Sequence, residues 1–213
     1  IDRDYANDYH AYKREIHVVE PFVIPEHWDR YTTKDYGLDM LANYWIAVDT
    51  FGNGYVYKEL YESNLIISEA ARRIKEVNGN DTIKLKYAPP DLQGRRQDTG
   101  KSAFDIFREH DETLIQSSNN RVNGWKAMKE WLKVHEIRDM QTGEPMLTSK
   151  LKIFSNCHNL IRCLPQIQTS ETDPNDAAKE PHEITHSLDA IRYFCVMRVA
   201  PSDMRQEKRS STL

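Results

Sequence analysis

The chain has 213 residues, 39% of them hydrophobic and 29% charged, with a formal net charge of −4. That balance belongs to a globular chain long enough for one well-cored domain, and it excludes wholesale disorder. No apolar run reaches the roughly 18 residues of a membrane-crossing helix, no signal-peptide core opens the sequence, and the mild acidity offers no global field for nucleic acid, so any DNA contact has to be local.

Residues 1–29 read as a lead-in segment in which Pro21 and Pro25 interrupt HVVEPFVIPEHW, and no helix is expected there. Three strand candidates follow from Arg30: RYTTKDYG, ANYWIAVDT and GYVYKELYE, the last two joined by FGNG, a strong hairpin signal. Ser68 is placed to cap a helix through EAARRIKEV, with Ala70, Ala71, Ile74 and Val77 at helical spacing. DTIKLKYA reads as a fourth strand, Ser102 opens a helix through AFDIFREH, and TLIQSS is a short fifth strand. NGWKAMKEWLKVHE puts Trp125, Met128, Trp131, Leu132 and His135 on one helical face, with Lys126, Lys129 and Lys133 as a solvated basic stripe opposite. EIRDMQTGEPMLTSKLKIF reads as a hairpin turning at Thr142–Pro145. Two helices, SNCHNLIRCLPQIQ and PHEITHSLDAIRYFCVMRV, close the chain across a polar loop, and residues 201–213 are expected to form a flexible tail.

This order, three antiparallel strands, then helix, strand, helix, strand and helices, predicts an α/β chain with the ribonuclease H-like fold. Its mixed central sheet is flanked by helices, and the fourth and fifth strands join in parallel through helical crossovers. One domain over residues 30–200 is expected.

Three carboxylates stand where elements end: Asp35 in KDYG, Asp91 in YAPPD and Asp189 in HSLDAIRY. In the expected fold the first and fourth strands are neighbours, so Asp35 and Asp91 can face each other while the last helix delivers Asp189. Such a cluster repels itself unless hard cations sit in it, which points to Mg2+ or Mn2+; two ions about 3.5 to 4 Å apart suit phosphodiester hydrolysis. Strand-end aspartates are also common turn formers, and Asp39, Asp49 and Asp98 compete by pattern. His186, three residues before Asp189 on one helical face, is a candidate ligand, phosphate contact or structural histidine; His182 has a weaker claim.

GRRQDTGKS superficially suggests a phosphate-binding loop, yet five residues rather than four separate Gly94 from Gly100, so the nucleotide reading is set aside. Arg95, Arg96 and Lys101 remain candidates to neutralise a DNA backbone. Cys157 and Cys163 with His182 and His186 are spaced too loosely for structural zinc, and core cysteines are expected. Three cysteines without a disulfide framework suggest a reducing, cytoplasmic setting.

Taken together, HVVEPFVIPEHWDRYTTKDYG, GNGYVYKELYE, PPDLQGRRQDTGKS and THSLDAIRYF resemble the nuclease domain of phage terminase large subunits over residues 17–199. The likeness is to the SPP1-like branch, whose last motif has His and Asp three apart before an Ala-x-Arg-Tyr helix. The resemblance implies a metal-dependent endonuclease cutting concatemeric double-stranded DNA, with Asp35, Asp91, Asp189 and His186 in the metal site. It further implies an N-terminal ATPase domain in the same polypeptide, a terminase small subunit and a portal as partners, and a hairpin near residues 136–153 beside the site. Two readings stay open beside it: a non-catalytic DNA-gripping or assembly module, and another ribonuclease H-like nuclease of resolvase, transposase or exonuclease type.

Overall fold

The structure, a computed structural model, describes residues 12–201 except 38, 96, 98, 99, 140, 169, 172, 174, 175 and 179, and the side chain of His182. Its frame is an antiparallel meander of β2 (Asp29–Tyr36), β3 (Leu41–Val48) and β4 (Gly54–Glu62). All eight residues of β3 are buried. That is what an apolar run such as LANYWIAV requires at the centre of a sheet covered on both faces.

β5 (Leu85–Ala88) joins β2 in parallel, and β6 (Ile115–Gln116) joins β5 in parallel, as the element order predicts. The crossovers are α2 (Ile67–Asn78) and α3 (Ala103–Glu109). Ser102 caps α3, its Oγ accepting the Asp105 N–H at 3.1 Å while the Asp105 carboxylate accepts the Ser102 N–H at 3.0 Å. Ser68 does not cap α2: the helix starts at Ile67, and the N–H of Ile66 donates to Glu69.

The other half of the sheet was less legible. The lead-in contributes a single helical turn, α1 (Arg14–His17), and a two-residue strand, β1 (Val18–Val19). β1 pairs in parallel with β9 (Leu151–Phe154), which pairs in parallel with β4, giving a seven-stranded sheet in the order β1-β9-β4-β3-β2-β5-β6. The expected long hairpin therefore divides. β7 (His135–Arg138) and β8 (Pro145–Thr148) form a separate ribbon whose turn spans Asp139 to Glu144, while LKIF belongs to the main sheet. His135 begins β7 rather than ending α4 (Arg121–Leu132), which stops at Leu132.

α4, α5 (His158–Cys163) and α6 (His182–Met197) cover one face of the sheet, with α6 against β2 and β3; α2 and α3 cover the other. Cys157, Cys163 and Cys195 are all buried and unpaired, as core residues. Among the described residues no helix is long and apolar enough to cross a membrane.

Candidate metal centre

The placement of α6 follows from three sheet side chains that accept its helical pitch. The hydroxyls of Tyr61, Tyr44 and Thr33 donate to the Glu183 carbonyl, Ser187 Oγ and the Ala190 carbonyl, at positions i, i+4 and i+7 of one helical face. With that face fixed on the sheet, His186 and Asp189 are turned along its flank. Thr33 and Asp35 share a face of β2 because side chains alternate along a strand, so the strand that bonds Ala190 through Thr33 presents Asp35 to His186 one helical turn earlier. Lys34, between them, points to the opposite face, where it meets Glu112 at 3.5 Å and lies over the Phe107 ring.

His186 is clasped between two carboxylates. Nδ1 lies 2.7 Å from Asp35 Oδ2 and Nε2 lies 3.0 Å from Asp39 Oδ2. Two acceptors on one ring favour the doubly protonated imidazolium, and the Asp35 hydrogen bond above all lifts His186 to about 9. Gly37 permits this clasp: the β2–β3 turn closes through its N–H to the Met40 carbonyl, and a Cβ there would lie 2.5 Å from Asp39 Oδ1.

Asp189 is buried and held by two guanidinium groups. Its Oδ1 accepts from Arg192 Nε at 2.8 Å, and both oxygens lie 3.2 Å from Arg121 Nη1. Arg121 turns its Nε to both oxygens of Asp176, at 3.1 and 3.2 Å, and its Nη2 to the Ala177 carbonyl. Asp176 also accepts the Trp125 indole N–H at 2.8 Å, so the polar loop before α6 is fastened to the first turns of α4.

Asp91 is the second residue of the 3-10 turn Pro90–Gln93, shortly after β5, and is exposed. Parallel neighbours β2 and β5 both end on this side of the sheet, so Asp35 and Asp91 stand at the same end of it. Burial raises the Asp35 carboxyl above the usual range, the His186 bond opposes that rise, and the charges of Asp189 and then Asp91 add to it. The buried hydroxyl of Tyr193 is likewise pushed up, by burial first and then by Asp35, with Asp189 and Asp91 contributing. Asp35 and His186 are thus brought into contact, with Asp189 and Asp91 both within electrostatic reach of Asp35.

Among the described residues no three His, Cys, Asp or Glu side chains are gathered closely enough to hold an ion as they stand. Donor chemistry nevertheless suits a hard divalent cation, because the oxygens on offer are carboxylate. A cavity of about 380 Å³ lies at the opposite end of the sheet, lined by His27, Asp29, Phe51 and Arg198 among others, and contains none of these groups. Of the basic loop, Arg95 is exposed and bridges Ser102, and Lys101 pairs with Glu109 at 2.7 Å. Arg96 lies outside the described residues. Sequence reasoning did not single out Arg121, Arg192 or Asp176; only Arg192, three residues after Asp189 on α6, had a local signal.

No protein-family model matches the chain, and no curated protein does. Solved structures share its fold. The large terminase of a thermophilic bacteriophage, in complex with ATP-gamma-S, superposes with a TM-score of 0.70 at 16% identity, over 88% of this chain and 44% of that one. This chain therefore spans less than half of that protein. The P22 large terminase nuclease domain gives a TM-score of 0.66 at 17% identity, covering 92% and 94% of the two chains. The nuclease domain of the bacteriophage SPP1 large terminase, with bound Mn, gives 0.54 at 17% identity, covering 84% and 93%. The chain has the ribonuclease H-like fold of these nuclease domains.

Proposed function

We propose that this chain is a metal-dependent endonuclease domain that cuts double-stranded, concatemeric viral DNA during genome packaging. The reading is supported by the Asp35–His186 contact with the charges of Asp189 and Asp91 within electrostatic reach of Asp35, in a fold shared with terminase nuclease domains, one of which was solved with bound Mn. Asp35, Asp91 and Asp189 would hold two Mg2+ or Mn2+ ions, which supply Lewis acidity and charge neutralisation at the scissile phosphodiester.

The chain's own residues do the rest. Asp35 is locked at the end of β2 by His186, whose two ring nitrogens are both engaged with carboxylates, so its role is to orient Asp35 rather than to offer a lone pair to a metal. Arg192, wholly buried one turn further along α6, orients Asp189. Arg95, Arg96 and Lys101, on the loop that follows Asp91, take the DNA backbone, which positions the duplex without reading its bases. Residues 30–200 carry the nuclease unit, with Asp29 and β1 of the lead-in 1–29 completing its sheet and residues 201–213 following as the tail. In the whole protein it works beside an N-terminal ATPase domain, with a small subunit and a portal as partners, in the host cytoplasm.

A second reading, a DNA-gripping module without catalysis, is favoured by one observation: both oxygens of Asp189 are neutralised by arginine. Incubation of the purified chain with supercoiled plasmid in Mn2+, Mg2+ or EDTA separates the two. Endonuclease function is expected to give metal-dependent nicking and linearisation, reduced by about 100-fold or more in Asp35→Ala, Asp91→Ala and Asp189→Ala. A folded wild type that cuts nothing with either ion would leave the gripping module standing.

A further inference from the structure

Arg121 and Arg192 hold Asp189 in different ways. Arg192 sits on the same helix, is 1% exposed, and touches Oδ1 alone; Arg121 comes from α4, keeps 23% of its side chain exposed, and is the partner of Oδ2 among the described residues. Arg121 is also shared. Asp176 takes its Nε with both oxygens and is itself anchored by Trp125 and by the Ala177 N–H at 2.8 Å.

We propose that Arg121 is an exchangeable counter-ion that occupies the cation's place at Asp189 Oδ2, and that Asp176 sets how firmly it is held there. This rests on the reading of Asp189 as a metal ligand. A guanidinium 3.2 Å from both oxygens neutralises a carboxylate that burial would otherwise penalise, so the group that stabilises the carboxylate is the same group a cation has to displace. Displacement does not strand the arginine. Its Nε keeps both oxygens of Asp176, its guanidinium stays near the Trp125 ring, 5.6 Å away, and part of its side chain is already open to solvent. Asp176 draws part of the guanidinium's charge toward itself and so weakens its hold on Asp189.

The pair therefore predicts opposite signs. Removing the guanidinium leaves Asp189 Oδ2 to the cation; removing the Asp176 charge leaves Asp189 as the guanidinium's one carboxylate partner among the described residues. A residue pair that merely braced the fold would shift metal binding in the same direction when either member was lost.

The test is Mn2+ binding to the purified chain by titration calorimetry, with electron paramagnetic resonance of the free ion as a second readout, in wild type, Arg121→Gln, Asp176→Asn and Asp189→Asn. Arg121→Gln is expected to tighten binding by about three- to tenfold, and Asp176→Asn to weaken it by a similar factor. Loss of the wild-type signal in Asp189→Asn confirms that Asp189 is the ligand being probed. Binding that Asp189→Asn leaves intact overturns the metal reading of Asp189 and this proposal with it. Binding that depends on Asp189 but is unchanged or weakened in Arg121→Gln overturns the counter-ion role alone. Should Arg121→Gln fail to fold, Asp176→Asn decides by itself, because unchanged or tighter binding there is equally contrary.

Discussion

A methyl group built on Gly124 would lie 2.6 Å from Arg192 Cγ, 2.8 Å from Cδ and 2.9 Å from Nη1. Alanine would favour the helix by up to about 1 kcal/mol, but Arg192 is packed with no room to give, and overpacking of this kind costs about 1 to 3 kcal/mol. The steric effect wins. Gly124→Ala is expected to lower stability by about 1 to 2 kcal/mol, read as a lower urea midpoint at unchanged slope. At Gly37 the close atom is the tip of a flexible, exposed aspartate, so Gly37→Ala moves Asp39 off His186 with little cost to the fold. Both glycines show how much of the site lies outside its own motif. Asp35, His186 and Asp189 could be named as candidates because Asp35 lies near the end of a recognisable strand and His186 shares a face of a recognisable helix with Asp189. Arg121 was not, because 68 residues separate it from Asp189 and in its own segment it is only a polar residue opening a helix.

Elements are tied together here by buried polar side chains as much as by apolar packing. His17, fully buried in α1, accepts the Lys13 N–H through Nδ1 and donates through Nε2 to the Leu132 carbonyl at 2.9 Å, joining the lead-in to the end of α4 across 115 residues. Burial holds His17 below its ordinary value of 6.5, with the nearby charge of Lys152 adding to the effect. The neutral ring therefore contributes stability above about pH 6.5 that is lost as the pH falls through the lower folded value. His17→Phe is expected to be less stable at pH 8 by about 1 to 3 kcal/mol, because the buried carbonyl loses its donor, yet to lose less stability than wild type between about pH 7 and 5. Thermal melts of both proteins across that range check the slope. Glu59 plays a similar part on β4, accepting the N–H groups of Asn159 and Leu160 at 2.9 and 3.1 Å at the start of α5. Glu59→Gln should cost about 1 kcal/mol by removing a charge from that helix end, visible as a lower melting temperature.

Two-residue strands and split hairpins are where the sequence was silent about elements. β1 has only Val18 and Val19 to announce it, and β9 follows the β7–β8 ribbon so closely that LKIF reads as its continuation. Its actual partner begins at Gly54, and nothing local encodes a pairing that distant. The meander, the two helical crossovers and the parallel additions were legible because alternation, caps and an Asn-Gly turn are local signals.

At the scale of the whole molecule, β1 shields the edge of β9, and with it Ile153 and Phe154 at the rim of the core. Deleting residues 1–20 exposes that edge to strand pairing between molecules. Concentration-dependent association is expected on size-exclusion chromatography, and a truncated chain that stays monomeric at high concentration would show that the edge is protected by other means.

β3 is flanked by strands on both sides and covered on both faces, so its amide hydrogens reach solvent only when the whole domain opens. Asp35 is paired with Ala42 of that strand, whereas Asp91 sits on an exposed 3-10 turn. A cation shared between them would connect the slowest-exchanging and among the fastest-exchanging parts of the backbone. In deuterium exchange, ion binding would then slow the amides around Asp91 sharply while leaving those of β3 on the timescale of global unfolding, so one chain would carry both a clock for its own stability and a separate one for the occupancy of its site.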